Sequence, residues 1–130
     1  MSKFVDKAGR EWHLNINIAA MRRAKSKDID LSMAVSQLKD FILDDVFLVD
    51  ALYAICKPEL DTMGITLEQF ELAFDGVATE KAREALWTAL GEYYDVGKSQ
   101  LLLAAIASVK AEIAKATSDI LIGSPASKAN

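Results

Sequence analysis

Val46-Phe47-Leu48-Val49-Asp50-Ala51-Leu52-Tyr53-Ala54-Ile55-Cys56 is apolar around nearly the whole circumference of a helix, with Asp50 as its single charge. A helix hydrophobic on every side has no face to offer water, so this stretch predicts a central helix with the other elements packed around it. Asp44 or Asp45 restarts the chain into it. Pro58 predicts its end near Lys57, because the residue before a proline is pushed out of the helical region.

The segments on either side read as amphipathic helices. Upstream, a short helix near 19–27 ends at Asp28-Ile29-Asp30, and Asp30 or Ser32 can cap a following one in which Leu31, Val35, Leu38 and Ile42 share a face. Downstream, Gly64-Ile65-Thr66-Leu67-Glu68-Gln69-Phe70 carries a capping box, with Thr66 as N-cap and Gln69 three residues on, and Ile65 placed to staple onto Phe70. That helix is expected to end at Asp75-Gly76. Thr79 is then expected to cap another, with Ala82, Leu86, Ala89 and Tyr93 on one face. A break at Asp95-Val96-Gly97 precedes a last helix from about Ser99 to Ile120. Its residues Leu102, Ile106, Val109, Ile113, Ala116 and Ile120 follow one another at spacings of four and three, a heptad-like seam.

The amino end has a different period. Trp12, Leu14, Ile16 and Ile18 alternate with Glu11, His13, Asn15 and Asn17, the period of two of a half-buried strand. Phe4-Val5 is its expected partner across a turn at Asp6-Lys7-Ala8-Gly9, where Gly9 tolerates positive φ and Asp6 can bond the turn backbone. The fold class expected is therefore mainly α: a bundle of five or six helices with a short N-terminal β-hairpin over about 3–18. One domain is expected over 1–122 and a disordered polar tail over 123–130. With 130 residues, 52% of them hydrophobic and 26% charged, the chain can build one core and no second domain.

Charge is unevenly distributed. The net charge is −4, but residues 1–27 hold seven Lys and Arg against two acids (+5), which leaves −9 for the remainder. Lys39 to Asp75 holds nine acids against two lysines, so nucleic acid is an unexpected partner. The longest uncharged apolar run, Leu101 to Val109, is far short of the roughly 20 residues of a membrane span. The first residues reach Asp6 before an apolar stretch can build, so no secretory signal is expected, and a cytoplasmic location follows.

Candidates for chemistry are few. His13, the sole histidine, falls on the polar face of the strand and reads as a surface residue. Cys56 lies on the all-apolar helix, where burial makes a thiol inert, and as the sole cysteine it excludes an intramolecular disulfide. Setting Gly64 at the sixth position of a calcium loop puts Met63 at the fifth and Phe70 where the bidentate Glu belongs, which rejects an EF-hand. No catalytic residue, metal ligand or cofactor is therefore assigned, and the chain is expected not to be an enzyme. Two features suit a binding role. Arg22, Arg23, Lys25 and Lys27 form a basic cluster, which the dipole at a helix carboxyl end explains as well as a partner does. The seam reads as core from Leu102 to Val109 and, beyond Ile113, as core or as an apolar surface for another chain. Val109, Ile113, Ala116 and Ile120 are the candidate partner-binding residues.

Phe4-x-Asp6-x-x-Gly9-Arg10-x-Trp12-x-Leu14, then Arg22-Arg23 and Asp30-Leu31, then Ala54-Ile55-Cys56-Lys57-Pro58, then Gly64-Ile65-Thr66-x-Glu68-x-Phe70, stand in an order and spacing that resembles the small tail assembly chaperones of tailed bacteriophages and prophages. The resemblance spans about residues 4–95. It implies a non-catalytic protein of the host cytoplasm whose partner is the tape-measure protein, a long helical chain held soluble until tail-tube subunits polymerise around it. The tail-tube protein and a second copy of the chain remain open as further partners. Many members are also made as a longer frameshifted product, which nothing in these residues indicates. The region after Asp95 matches no pattern of the family. The alternative is a structural virion component, such as a head–tail joining or tail-completion protein.

Overall fold

The structure, a computed structural model, describes residues 2–128 of the backbone and the side chains up to Ile120. Among the described residues the chain forms a two-stranded antiparallel hairpin, β1 (Ser2–Val5) and β2 (Glu11–Leu14), and six α-helices. These are α1 (Ile18–Lys25), α2 (Leu38–Leu43), α3 (Asp45–Met63), α4 (Leu67–Leu72), α5 (Gly76–Tyr93) and α6 (Val96–Lys128), with a 3-10 turn at Ala34–Gln37 before α2. The mainly α class with an N-terminal hairpin is the one the sequence predicts. The polar tail expected at 123–130 lies in the stretch whose side chains are outside the described residues.

The hairpin is shorter than the alternation implies. Phe4 pairs with Trp12 and Ser2 with Leu14, but β2 stops at Leu14 and does not continue to Ile18. Asn17 breaks the pattern: its side chain accepts the Ala20 N–H at 2.8 Å and caps α1, so Ile18 becomes the exposed first residue of a helix. The turn is as expected. Gly9 has φ of 84°, and the Asp6 carboxylate accepts the Arg10 N–H at 3.0 Å. Asp6 is also buried, where it takes the Trp12 indole N–H at 2.8 Å and Arg10 Nε at 3.2 Å. Trp12 meets the edge of Phe70 with ring centroids 5.1 Å apart, and Phe74 joins Phe70 to Phe4.

Helix α3 occupies the centre, with Leu48, Ala51, Leu52, Ile55, Cys56 and Leu60 buried. It does not end near Lys57. It runs through Pro58 to Met63, where Gly64, at φ of 68°, closes it in the left-handed conformation. A proline inside a helix removes the N–H that would bond the carbonyl four residues back, here that of Ala54. Arg23 supplies the missing donor: its Nε bonds the Ala54 carbonyl at 2.6 Å, and its Nη2 reaches the Ile55 carbonyl at 3.4 Å. One member of the basic cluster is thus committed to the fold.

Further boundaries differ from expectation, among them the end of α4, which falls at Leu72 and not at Asp75-Gly76. Between Leu31 and Ile42 the buried set is Leu31, Ala34, Leu38 and Phe41, with Val35 and Ile42 only half-buried, because the segment begins as a turn and a 3-10 winding and not as one α-helix. Asp30 holds that turn by accepting the Ser32 N–H, the Met33 N–H and the Ser32 hydroxyl. Asp75, not Thr79, caps α5, accepting the Ala78 N–H at 2.8 Å, while the Thr79 hydroxyl donates back to the Asp75 carbonyl. Helix α6 begins at Val96, three residues before the expected start. The Thr66–Gln69 capping box forms as predicted, with bonds of 2.8 and 3.1 Å.

Replacing Arg23 with Met, which keeps the apolar stem, should lower the unfolding free energy by about 2 kcal/mol, the usual scale for a hydrogen bond from a charged donor. In a Pro58→Ala background the restored N–H can bond the Ala54 carbonyl, so the same change should cost about 1 kcal/mol less. Urea unfolding of the four proteins measures this coupling, and strict additivity would refute the account of how α3 passes Pro58.

Candidate partner-binding surface

The turn from α5 into α6 is built by two adjacent residues. Tyr94 leaves the helix in an extended conformation while its N–H still bonds the Leu90 carbonyl, and Asp95 caps α6 by accepting the Lys98 N–H at 2.8 Å. Tyr94 is buried. Its hydroxyl donates to the Leu31 carbonyl at 2.5 Å and accepts the Ala34 N–H at 3.1 Å, and this burial raises its pKa above the usual phenol value. The start of α6 is therefore fixed to the 3-10 segment. Close approach to α5 is also visible at Gly91, where an added Cβ would lie 3.4 Å from Ser99 Oγ.

From that fixed start the seam moves outward. Leu102 is 1% exposed, Ile106 6% and Val109 9%; Ile113 is half-buried at the rim of the core, Ala116 is exposed, and Ile120 is 67% exposed. The four candidate residues thus lie on one helical stripe but in three environments, with only Val109 belonging to the core. Two long ion pairs, Lys110–Glu84 at 3.5 Å and Lys39–Glu112 at 3.8 Å, tie α6 to α5 and α2 just before the stripe emerges. Clefts lie along both flanks of α6. One, of about 360 Å³, runs past Leu38 and Ala105, and the other, of about 440 Å³, runs past Trp87 and Leu103. Trp87 is buried, and its indole N–H has no hydrogen-bond partner among the described residues.

Leu101 and Leu103 are each more than half exposed and were not among the candidates. The signal was present: three consecutive leucines span about 200° of a helix, so one narrow seam buries only the middle one. The basic cluster is dispersed in role. Arg23 serves α3, Lys27 Nζ lies 5.5 Å from the centre of the Tyr53 ring, and Arg22 and Lys25 carry no ion pair among the described residues.

His13 is exposed and held between two carboxylates. Nδ1 lies 2.8 Å from Glu59 Oε2, Nε2 lies 3.2 Å from Glu11 Oε2, and the His13 backbone N–H donates to Glu59 Oε1 at 2.9 Å. The Glu59 hydrogen bond, reinforced by the charges of Glu59 and Glu11, raises the pKa of His13. This is a clip between β2 and α3. A cleft of about 240 Å³ beside it also touches Cys56, whose thiol is pushed far above its ordinary value by burial and so stays protonated. No group of three or more His, Cys, Asp or Glu side chains is arranged to hold a metal ion among the described residues, and no described helix is long and apolar enough to cross a membrane.

The chain matches no protein-family model, no curated protein and no solved structure.

The raised pKa of His13 has a definite sign for stability. The clip's contribution is complete below the unfolded value of about 6.5 and is lost as pH rises through the higher folded value. A His13→Gln variant should therefore melt below the parent at pH 5.5 and nearly with it at pH 9. Paired thermal melts across that range check it, and a gap that widens with pH would contradict the assignment.

Proposed function

We propose that this chain is a tail assembly chaperone of a tailed bacteriophage or prophage, a non-catalytic protein that keeps the tape-measure protein soluble in the host cytoplasm. The order of motifs across residues 4–95 suggests the family. The observation that carries the reading is the apolar stripe of α6, which leaves the core at Ile113 and continues through Ala116 to Ile120 with nothing packed over it among the described residues. A stripe with heptad spacing is shaped to receive another helix, because its side chains interleave with those of a helical partner. Covering it removes apolar area worth about 25 cal/mol per Å² from water, whereas exposed charges such as Arg22 contribute little after screening. The net charge of −4 helps keep such a complex in solution.

The test is co-expression with the tape-measure protein. Ala116→Asp combined with Ile120→Asp changes two exposed residues, so the variant should fold like the parent by circular dichroism yet leave the partner insoluble. Arg22→Ala should still rescue it, and Arg23 is left intact because α3 needs it. A folded double variant that solubilises the partner as well as the parent does would remove the seam from the binding surface. The gene neighbourhood separates the readings independently: a very long adjacent reading frame fits the chaperone, whereas portal and connector genes fit a virion component.

A further inference from the structure

A second surface, formed by α3, α4 and α5 without α6, concentrates the chain's acidity. Val46, Val49 and Phe74 line a cleft of about 370 Å³, and Asp45, Asp50, Glu71 and Asp75 stand around them. Two of the four carboxylates are committed to the fold, Asp45 to Arg83 at 2.6 Å and Asp75 to the Ala78 N–H. Asp50 and Glu71 carry no ion pair among the described residues. The apolar surface extends beyond the cleft, since Val46 is 72% exposed, and Val77, next to the lining residue Gly76, and Leu43, two residues before Asp45, are also exposed.

These features select the occupant. A nucleic acid or an anionic lipid surface is repelled by the local charge. A small cation would leave Val46 and Val77 bare. A second copy carries the same net charge of −4, so two such chains repel overall, although Arg22 and Lys25 carry no ion pair among the described residues. We propose that the cleft docks a cationic amphipathic segment of a protein partner, with its aliphatic side chains against Val46, Val49 and Phe74 and its lysines or arginines at Asp50 and Glu71. Apolar contact supplies affinity, while the two free carboxylates choose the sign of the partner and its orientation. The site is independent of the seam on α6, and either can fail without the other.

The experiment titrates the ¹⁵N-labelled full chain with three synthetic peptides of equal length: leucine in a heptad pattern with lysine between, the same pattern with glutamate, and lysine with serine in place of leucine. The leucine–lysine peptide should bind saturably and shift the amide signals of Val49, Asp50, Phe74 and Gly76, while the other two should not. Asp50→Asn with Glu71→Gln, which removes two charges without crowding, should weaken binding about fivefold, the scale of two partly screened ion pairs. Val46→Ser, at an exposed position, should also weaken it. Equal binding by the serine peptide, unchanged affinity in the neutralised variant, or shifts scattered over the surface would overturn the proposal. So would concentration-dependent shifts of the same residues in the peptide-free protein, which would make a second copy the occupant.

Discussion

The bond from Arg23 to the Ala54 carbonyl lets one uninterrupted helix serve as the axis of the molecule. Without a donor there, Pro58 would leave a buried carbonyl unsatisfied, and α3 would end about where its sequence suggests. Because the helix continues, Glu59 comes within reach of the hairpin, and Gly64 can turn the chain into α4, whose Phe70 completes the aromatic contact with Trp12. The same bond fixes α1 against α3, so a cation that looks like surface chemistry in sequence is part of the scaffold.

Two charged residues that are buried outright, as Arg23 is only in part, behave alike. Asp6 is enclosed with the Trp12 indole and Arg10, and Arg83 is enclosed with the Phe41 carbonyl, Asp45 and Glu80. A charge inside a protein costs more than it returns unless its hydrogen-bonding capacity is filled. Here each is filled by a group from another element, or from across its own turn. Their main effect is to select one arrangement: Asp6 sets the hairpin turn against Trp12, and Arg83 joins α5 to the end of α2 and the start of α3.

Those constraints end at α6. Its first turns are fixed by Asp95, Tyr94 and the leucine of the seam, and its later turns are not, although the spacing of apolar residues does not change between them. The body is acidic and tightly interlocked, and the emerging stripe and the cleft near Val46 are two of the apolar surfaces it leaves exposed, beside side chains such as Leu72, Val96, Leu101 and Leu103. That combination suits the proposed role of covering another chain, with a charged body and apolar area left for contact.

Local patterns were sufficient for much of this. The central helix, the Thr66 cap, the Gly9 turn and the heptad spacing of the last helix are each set by residues within a few positions of one another, and each appears in the structure. What the local pattern misjudged were chiefly elements whose limits depend on distant groups: the end of α3, which needs Arg23, and the phase of the Leu31–Ile42 segment, where Phe41 is drawn between Phe47 and Trp87; the end of β2 yields instead to a local competitor, the Asn17 cap. The seam shows the same limit, because periodicity states which residues share a face and is silent on whether anything covers it. By itself the sequence determined the helical class, the hairpin and the stripe, since these follow from spacing along one chain. Only the tertiary structure decided where α3 ends and where α6 leaves the core, because both depend on which groups from elsewhere in the chain are near enough to satisfy a carbonyl or to exclude water.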